Sequence, residues 1–240
     1  MAYCLFVKKV SFKEKNMKIL AIDTASSVCS AAILENDEII DEINLDNGKT
    51  HSENLMPIVA EILEKNNLKL SDLDLLSCCV GPGSFTGIRI GVASVKAMAE
   101  VNHLPVAGVS SLETLARMEL SNRMKVSLID ARNHQVYCGI FDEEYQQVQE
   151  YLADGVTNVM EILKKYENLV FIGDGAVLHK EEILQQFPSA EFLEKNKQSA
   201  GFGGKVAYQK YLKKETQTAD TILPLYLRKS QAERMKDGKN

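Results

Sequence analysis

ILAIDTASSVCSAAIL, residues 19–34, lies without a gap over VSLIDARNHQVYCGIF, residues 126–141, and Asp23 falls on Asp130. In each copy an apolar run ends in Ile-Asp, a short polar turn follows, and a second apolar run comes back: CSAAILE in the first copy, VYCGIFD in the second. Each copy continues into a further strand-like stretch, EIIDEINLD and QQVQEYLAD. Apolar runs of this length between polar turns read as strands, and a unit recurring at a fixed offset reads as duplicated supersecondary structure. The simplest reading is a three-stranded meander, made twice.

After the first meander, HSENLMPIVAEILEKN has apolar residues at Leu55, Val59, Ile62 and Leu63, the spacing of a helix face, and Thr50 and Glu53 stand at capping-box spacing before it. The apolar run LDLLSCCV follows and leads into GPGSFTGIRIG, residues 81–91. After the second meander come the helical NVMEILKKY, the strand-like LVFIGDGA and the helical EEILQQF. The order βββαβα thus occurs twice. A strand–helix–strand step favours parallel pairing, which predicts a pair of related α/β domains meeting at a cleft. The predicted divisions are an N-terminal extension over residues 1–16, a first domain over 17–115 and a second over 116–240 with a C-terminal tail, joined near SSLETLARMELSNRM.

At 240 residues, 45% hydrophobic and 25% charged, the chain has the composition of a soluble globular protein with room for two small domains. No apolar run approaches the roughly 18 to 20 residues of a membrane helix. The five cysteines include no CxxC pair or Cys/His cluster, so Cys78 and Cys79 in LLSCCV read as buried strand residues in a reducing cytoplasm. MAYCLFVKKVSFKEKN, before the strand-like MKILAID, is too short in its apolar patch for a secretory signal and reads as an extension outside the fold, from a start placed too far upstream. It carries four lysines against one glutamate, net +3, which leaves −8 on the remainder of a chain whose total is −5. An acidic body lacks the basic footprint that unaided RNA binding requires.

The glycines of GPGSFTGIRIG suggest a phosphate loop, but a P-loop needs Lys and a hydroxyl residue after its last glycine, and here Ile88 and Arg89 follow Gly87. What remains is a strand, a turn and a helix start capped by Ser84 or Thr86. The helix that follows is apolar or small nearly all round, with Arg89 and Lys96 as its cations, and Gly87, Gly91 and Val95 recur every four residues. Such a helix is either internal core or an apolar face that a partner covers. His51 stands alone: Leu occupies position 55, where a second metal-binding histidine would stand one turn on, and His103, His134 and His179 lie in unrelated contexts.

ILAIDTASS, THSENLMP, GPGSFTGIRIG, SLIDARNHQVY and LPLYLR closely resemble the TsaB (YeaZ) family, within the actin, hexokinase and Hsp70 (ASKHA) superfamily of duplicated folds. The resemblance covers Met17 to about Arg228. It implies a non-catalytic scaffold that pairs with the catalytic subunit TsaD and supports threonylcarbamoyl transfer to the N6 amine of adenosine 37 in ANN-decoding tRNA. It further implies an ATPase partner, TsaE, a homodimer when TsaD is absent, and contact with tRNA only through the complex. The partner surface it implies lies on two helices, at His51, Leu55, Met56, Val59, Ile62 and Leu63 on one and Gly87, Ile88, Gly91, Val92 and Val95 on the other. In the superfamily an acid near the first turn and glycine turns hold a nucleotide. That reading places candidate nucleotide contacts at Asp23, Thr24, Gly173, Asp174 and Gly175, with Asp130 at the repeat, and no cofactor or metal of the chain's own. ATP or ADP is expected, if anywhere, at the assembled complex. The alternatives are an ATP-dependent small-molecule kinase of the same fold, and a glycoprotease, which the missing second histidine counts against.

Overall fold

The repeat in the sequence is a repeat in space. The computed structural model describes residues 16–194 and 196–228, so most of the N-terminal extension and the end of the C-terminal tail lie outside the described residues. The first half runs β1 (Lys18–Asp23), β2 (Cys29–Glu35), β3 (Glu38–Leu45), α1 (His51–Lys65), β4 (Leu75–Gly81), α2 (Phe85–Asn102), β5 (Val106–Ser110) and α3 (Ser111–Ala116). The second runs β6 (Met124–Asp130), β7 (Gln135–Phe141), β8 (Leu152–Gly155), α4 (Val156–Leu163), β9 (Leu169–Ile172), α5 (Asp174–Leu178), α6 (Lys180–Gln186), β10 (Glu191–Phe192) and α7 (Ala200–Leu212). The sheets have orders β3-β2-β1-β4-β5 and β8-β7-β6-β9-β10, antiparallel in the meander and parallel beyond it. Each half therefore adds a fifth strand to the βββαβα unit expected from the sequence.

The copies differ at the first turn. Asp23 pairs with Ser30, whereas Asp130 pairs with Val136, one residue tighter than the gapless alignment requires. The tightening comes from three consecutive left-handed residues, Arg132, Asn133 and His134, with φ of 62°, 54° and 56°. A one-residue slip exchanges the faces of a strand; β2 and β7 accept it because both are largely buried on either side. The third strand of the second meander is also short. Only Leu152–Gly155 joins the ladder, and of the preceding QQVQEY, Gln147 makes an isolated bridge to Phe141.

The final helix of each half packs across the molecule. α3 buries Leu112 and Leu115 against Ile129, Phe141 and Ile172 of the second sheet. α7 buries Ala200 and Ala207 against Ile19, Ala21, Ala32 and Leu34 of the first sheet. Beyond α7, Gln217 pairs with Val106, and Ala219 and Ile222 enter the core under α1 and α2, with Leu225 packed against it. Division of the chain at residue 115 is thus corrected twice: α3 lies on the second sheet, and residues 200–225 complete the first domain. No helix of the described residues is long and apolar enough to cross a membrane.

Candidate functional site in the interdomain cleft

The β1–β2 turn, the loop entering α2 and the β6–β7 turn converge on a cleft of about 670 Å³ between the two sheets. On the first-domain side everything is tied to α2. Ser84 caps it, accepting from the Gly87 N–H at 3.2 Å. Thr24, fully buried, donates from Oγ1 to the Gly87 carbonyl at 2.7 Å. Gly87 and Gly91 permit this approach, since a Cβ on Gly87 would collide with the Thr24 carbonyl and one on Gly91 would lie 2.5 Å from Thr24 Oγ1. The close helix approach expected along Gly87 and Gly91 exists, but its partner is the chain's own first turn.

His51 belongs to the same assembly. Its Nε2 lies 2.9 Å from the Ser26 carbonyl, so that nitrogen carries the proton and donates, and Nδ1 is buried without a hydrogen-bond partner. At the entrance to α1, Glu53 accepts from the Thr50 N–H at 3.0 Å and from its hydroxyl at 2.6 Å, the backward arm of the capping box. Asp23 lies beneath the turn, 3% exposed. Its Oδ1 accepts from Ala25 N at 2.8 Å, its Oδ2 has no partner, and burial pushes its pKa up to about 6. Asp23 and Thr24 thus support the cleft from below; neither lines it.

The second-domain candidates divide. Asp130 and Asp174 line the cleft. Asp130 Oδ1 accepts from Arg132 N at 2.8 Å, and Asp174 Oδ1 accepts from Asp130 N at 3.0 Å and Gly175 N at 2.8 Å. Desolvation in the turn holds the Asp174 carboxyl above its ordinary range, and the Asp130 charge adds to it. Gly173 and Gly175 are corrected: they press against the β6 backbone, where a Cβ on Gly173 would strike the Leu128 carbonyl, and they do not line the cleft. Gly173 also holds φ 106°, a conformation that favours glycine. Three cations missed in the sequence, Arg132, Lys197 and Arg228, reach the cleft, and Arg228 keeps a buried Nη1 without a partner. They come from three separated segments, so no local spacing could have announced them.

The helical partner surface is also corrected. Leu55, Val59, Ile62, Leu63, Ile88, Val92 and Val95 are between 0% and 8% exposed and form the first domain's own core. Gly87 and Gly91 are buried with them. Met56 is 48% exposed and His51 half-buried. The exposed positions of α1 carry Met56, Pro57 and Ala60 together with Glu53, Glu61 and Glu64, and those of α2 carry Ala93, Ala97 and Val101 together with Arg89 and Glu100. Arg89 and Lys96, the two cations of α2, hold the C-terminal segment: Arg89 Nε donates to the Tyr226 hydroxyl at 2.8 Å and its guanidinium stacks on Phe85, while Lys96 Nζ donates to the Asp220 carbonyl at 3.3 Å. This accounts for LPLYLR, which straps Leu225 to the core and Tyr226 over Phe85 with ring centroids 4.6 Å apart.

Cys29, Cys78, Cys79 and Cys138 are buried free thiols, and burial raises Cys29 to about 11 and Cys138 to about 12, which suits packing and not redox chemistry. His134 and His179, from unrelated sequence contexts, meet outside the cleft beside Glu182, with ring centroids 5.0 Å apart. The available signal was His179-x-x-Glu182, an i,i+3 pair across the start of α6.

Two five-stranded sheets of identical order facing a cleft, each half closed by the other half's strand or helix, place the chain in the actin, hexokinase and Hsp70 class of folds. The activator of 2-hydroxyisocaproyl-CoA dehydratase from Clostridium difficile shares that fold at 10% identity, with a TM-score of 0.51 over 88% of this chain and all of that one. YeaZ from Pseudomonas aeruginosa is 25% identical with a TM-score of 0.75, covering 88% of this chain and 100% of its own. The tRNA threonylcarbamoyladenosine biosynthesis protein TsaB of Bacillus subtilis is 34% identical over 90% of this chain and 96% of its own. A family model described as TsaD, tRNA N6-adenosine threonylcarbamoyltransferase, matches residues 43–236. The chain belongs to the TsaB (YeaZ) family of tRNA threonylcarbamoyladenosine biosynthesis proteins.

Proposed function

We propose that the chain is a non-catalytic subunit that pairs with TsaD and supports threonylcarbamoyl transfer to the N6 amine of adenosine 37 in ANN-decoding tRNA. The observation that carries this reading is the outer face of α1 and α2. Met56, Pro57, Ala60, Ala93, Ala97 and Val101 are exposed apolar or small residues that no element of the chain covers among the described residues, with Glu61, Glu64 and Glu100 exposed on the same two helices. Small side chains at Ala93 and Ala97 let a partner helix approach closely, so the two helices expected to form the interface do so through their opposite sides. The cleft supports the same reading from its chemistry. Asp130 and Asp174 are committed to turn hydrogen bonds, Asp23 is sealed beneath, and the chain's net charge of −5 leaves tRNA to be held by the complex. In the absence of TsaD the same face pairs with a second copy, TsaE joins the assembly, and the buried free thiols suit a reducing cytoplasm.

Co-purification with TsaD tests this. Wild-type chain is retained and Ala97→Glu is lost while remaining folded by circular dichroism; retention of Ala97→Glu overturns the placement. Threonylcarbamoyladenosine formation by the chain without TsaD overturns the non-catalytic role. A second reading, nucleotide binding in the cleft, is favoured by Arg132, Lys197 and Arg228 around it. ATP or ADP belongs there at the assembled complex. Titration of the isolated chain with ATP and Mg²⁺ separates that from a kinase, which would bind and turn over nucleotide alone.

A further inference from the structure

Three ligand-bearing side chains, one from the β6–β7 turn and two from the start of α6, meet on the second domain, away from the cleft and from α1 and α2. His134 Nε2 lies 3.2 Å from Glu182 Oε2, and His179 Nδ1 lies 3.8 Å from the same oxygen. One donor atom from each residue falls within 4.8 Å of those of the other two. Metal–ligand lengths of roughly 2.0–2.2 Å put the corners of a tetrahedral zinc site about 3.3–3.6 Å apart, and the two histidine–carboxylate spacings of 3.2 and 3.8 Å bracket that range.

The fold prepares this arrangement. His179 ends α5 and begins α6, which sets it one turn from Glu182 on the same side, and its side chain is 9% exposed. Its Nε2 is buried with no hydrogen-bond partner, so the only productive edge of the ring is the one facing Glu182. Thr157 Oγ1 donates to Glu182 Oε1 at 3.5 Å and leaves Oε2 for the histidines. His134 is delivered by the left-handed run Arg132–Asn133–His134, and its carbonyl is fixed by the Val156 N–H at 3.1 Å. Consecutive left-handed residues other than glycine carry backbone strain that persists only where the surroundings hold it. The strained turn aims an imidazole at a carboxylate and a second imidazole.

We propose that His134, His179 and Glu182 bind a divalent transition metal of the zinc class. Two imidazoles and one carboxylate are a donor set that zinc takes with one position open. The His134 side chain is 61% exposed, so the open position faces solvent and accepts water or an anionic group.

The test is cobalt and zinc titration of the full chain after removal of metals with a chelator. Wild type takes up one Co²⁺ per chain with a visible ligand-field band and no thiolate charge-transfer band, and Zn²⁺ displaces the Co²⁺. His134→Ala and Glu182→Gln each weaken binding at least about tenfold and abolish the Zn²⁺-induced rise in melting temperature seen in wild type. Circular dichroism confirms that both variants are folded; His134 and Glu182 lie at the surface, and a Thr157→Val variant that keeps all three ligands retains uptake. The proposal is overturned if wild type shows no saturable uptake, if uptake is unchanged in His134→Ala and Glu182→Gln, or if a thiolate band shows that cysteines hold the ion. Pairing with TsaD plays no part in the readout, so this site and the partner surface stand or fall separately.

Discussion

Thr24 Oγ1 and the Gly87 carbonyl are joined by a buried hydrogen bond of 2.7 Å across 63 residues of chain. It fastens the first turn of the meander to the first turn of α2. Thr24→Val is expected to cost about 1–3 kcal/mol by urea unfolding, the range for losing a buried hydrogen bond. Gly91→Ala sets a methyl against Thr24 Oγ1 and Gly87→Ala sets one against the Thr24 backbone. Thr24→Ala should therefore rescue Gly91→Ala, with a coupling of at least about 0.5 kcal/mol, and leave Gly87→Ala unrescued. Equal rescue of both would show that α2 shifts as a body.

Val95 is 0% exposed in the core beneath α2. Val95→Glu is expected to unfold the first domain, because an unpaired buried charge costs several kcal/mol out of a reserve of roughly 5–15. A folded Val95→Glu chain that merely fails to pair with TsaD would restore the inner face as the interface.

The two faces of α2 explain what was and was not legible in the sequence. The repeat was readable because each meander opens on an apolar strand closed by Ile-Asp, at Asp23 and Asp130. α1 was readable because its apolar spacing and Thr50–Glu53 agree. α2 is apolar or small nearly all round, so periodicity could not say which side faces inward. The fifth strands were missed because VAGVS is five residues long and the other, Glu191–Phe192, only two. α7 begins AGFGGK, which reads as loop, and only packing on the first sheet makes it a helix. The cleft cations depend on long-range assembly and leave no local spacing, and in the His134–His179–Glu182 cluster only the His179-x-x-Glu182 pair is local while His134 arrives from the β6–β7 turn.

Asp23 makes stability depend on pH. Its folded pKa of about 6 lies above the ordinary carboxylate value, so the folded chain holds that proton more tightly than the unfolded one. The favourable contribution is complete below the unfolded pKa and is lost as pH rises through about 6. Asp23→Asn, which keeps the acceptor for Ala25 N, is expected to stabilise the chain by on the order of 2–3 kcal/mol at neutral pH and by little near pH 4. Melting curves at both pH values check this; a pH-independent difference would show that Asp23 is not desolvated.

Ending the chain at Glu215 removes Gln217, Ala219, Ile222 and Leu225 from the first domain. Hydrogen exchange is expected to quicken in β5 and α2 while β6, β7 and β9 keep their protection. Uniform loss of protection would mean that the two domains unfold as one unit.

The crossing of α7 and the C-terminal strap onto the first sheet sets an order of events during synthesis. The second sheet and its covering α3 are drawn from one continuous span, residues 111–193, and can close as soon as that span has left the ribosome. The first sheet, although made earlier, lacks one of its two walls until residues 200–225 emerge. At about 5–20 residues per second, the strands of the first meander wait on the order of 10 seconds or more with an apolar face uncovered. The half of this protein that is translated first is the half that finishes folding last, and that interval is when it most needs a chaperone.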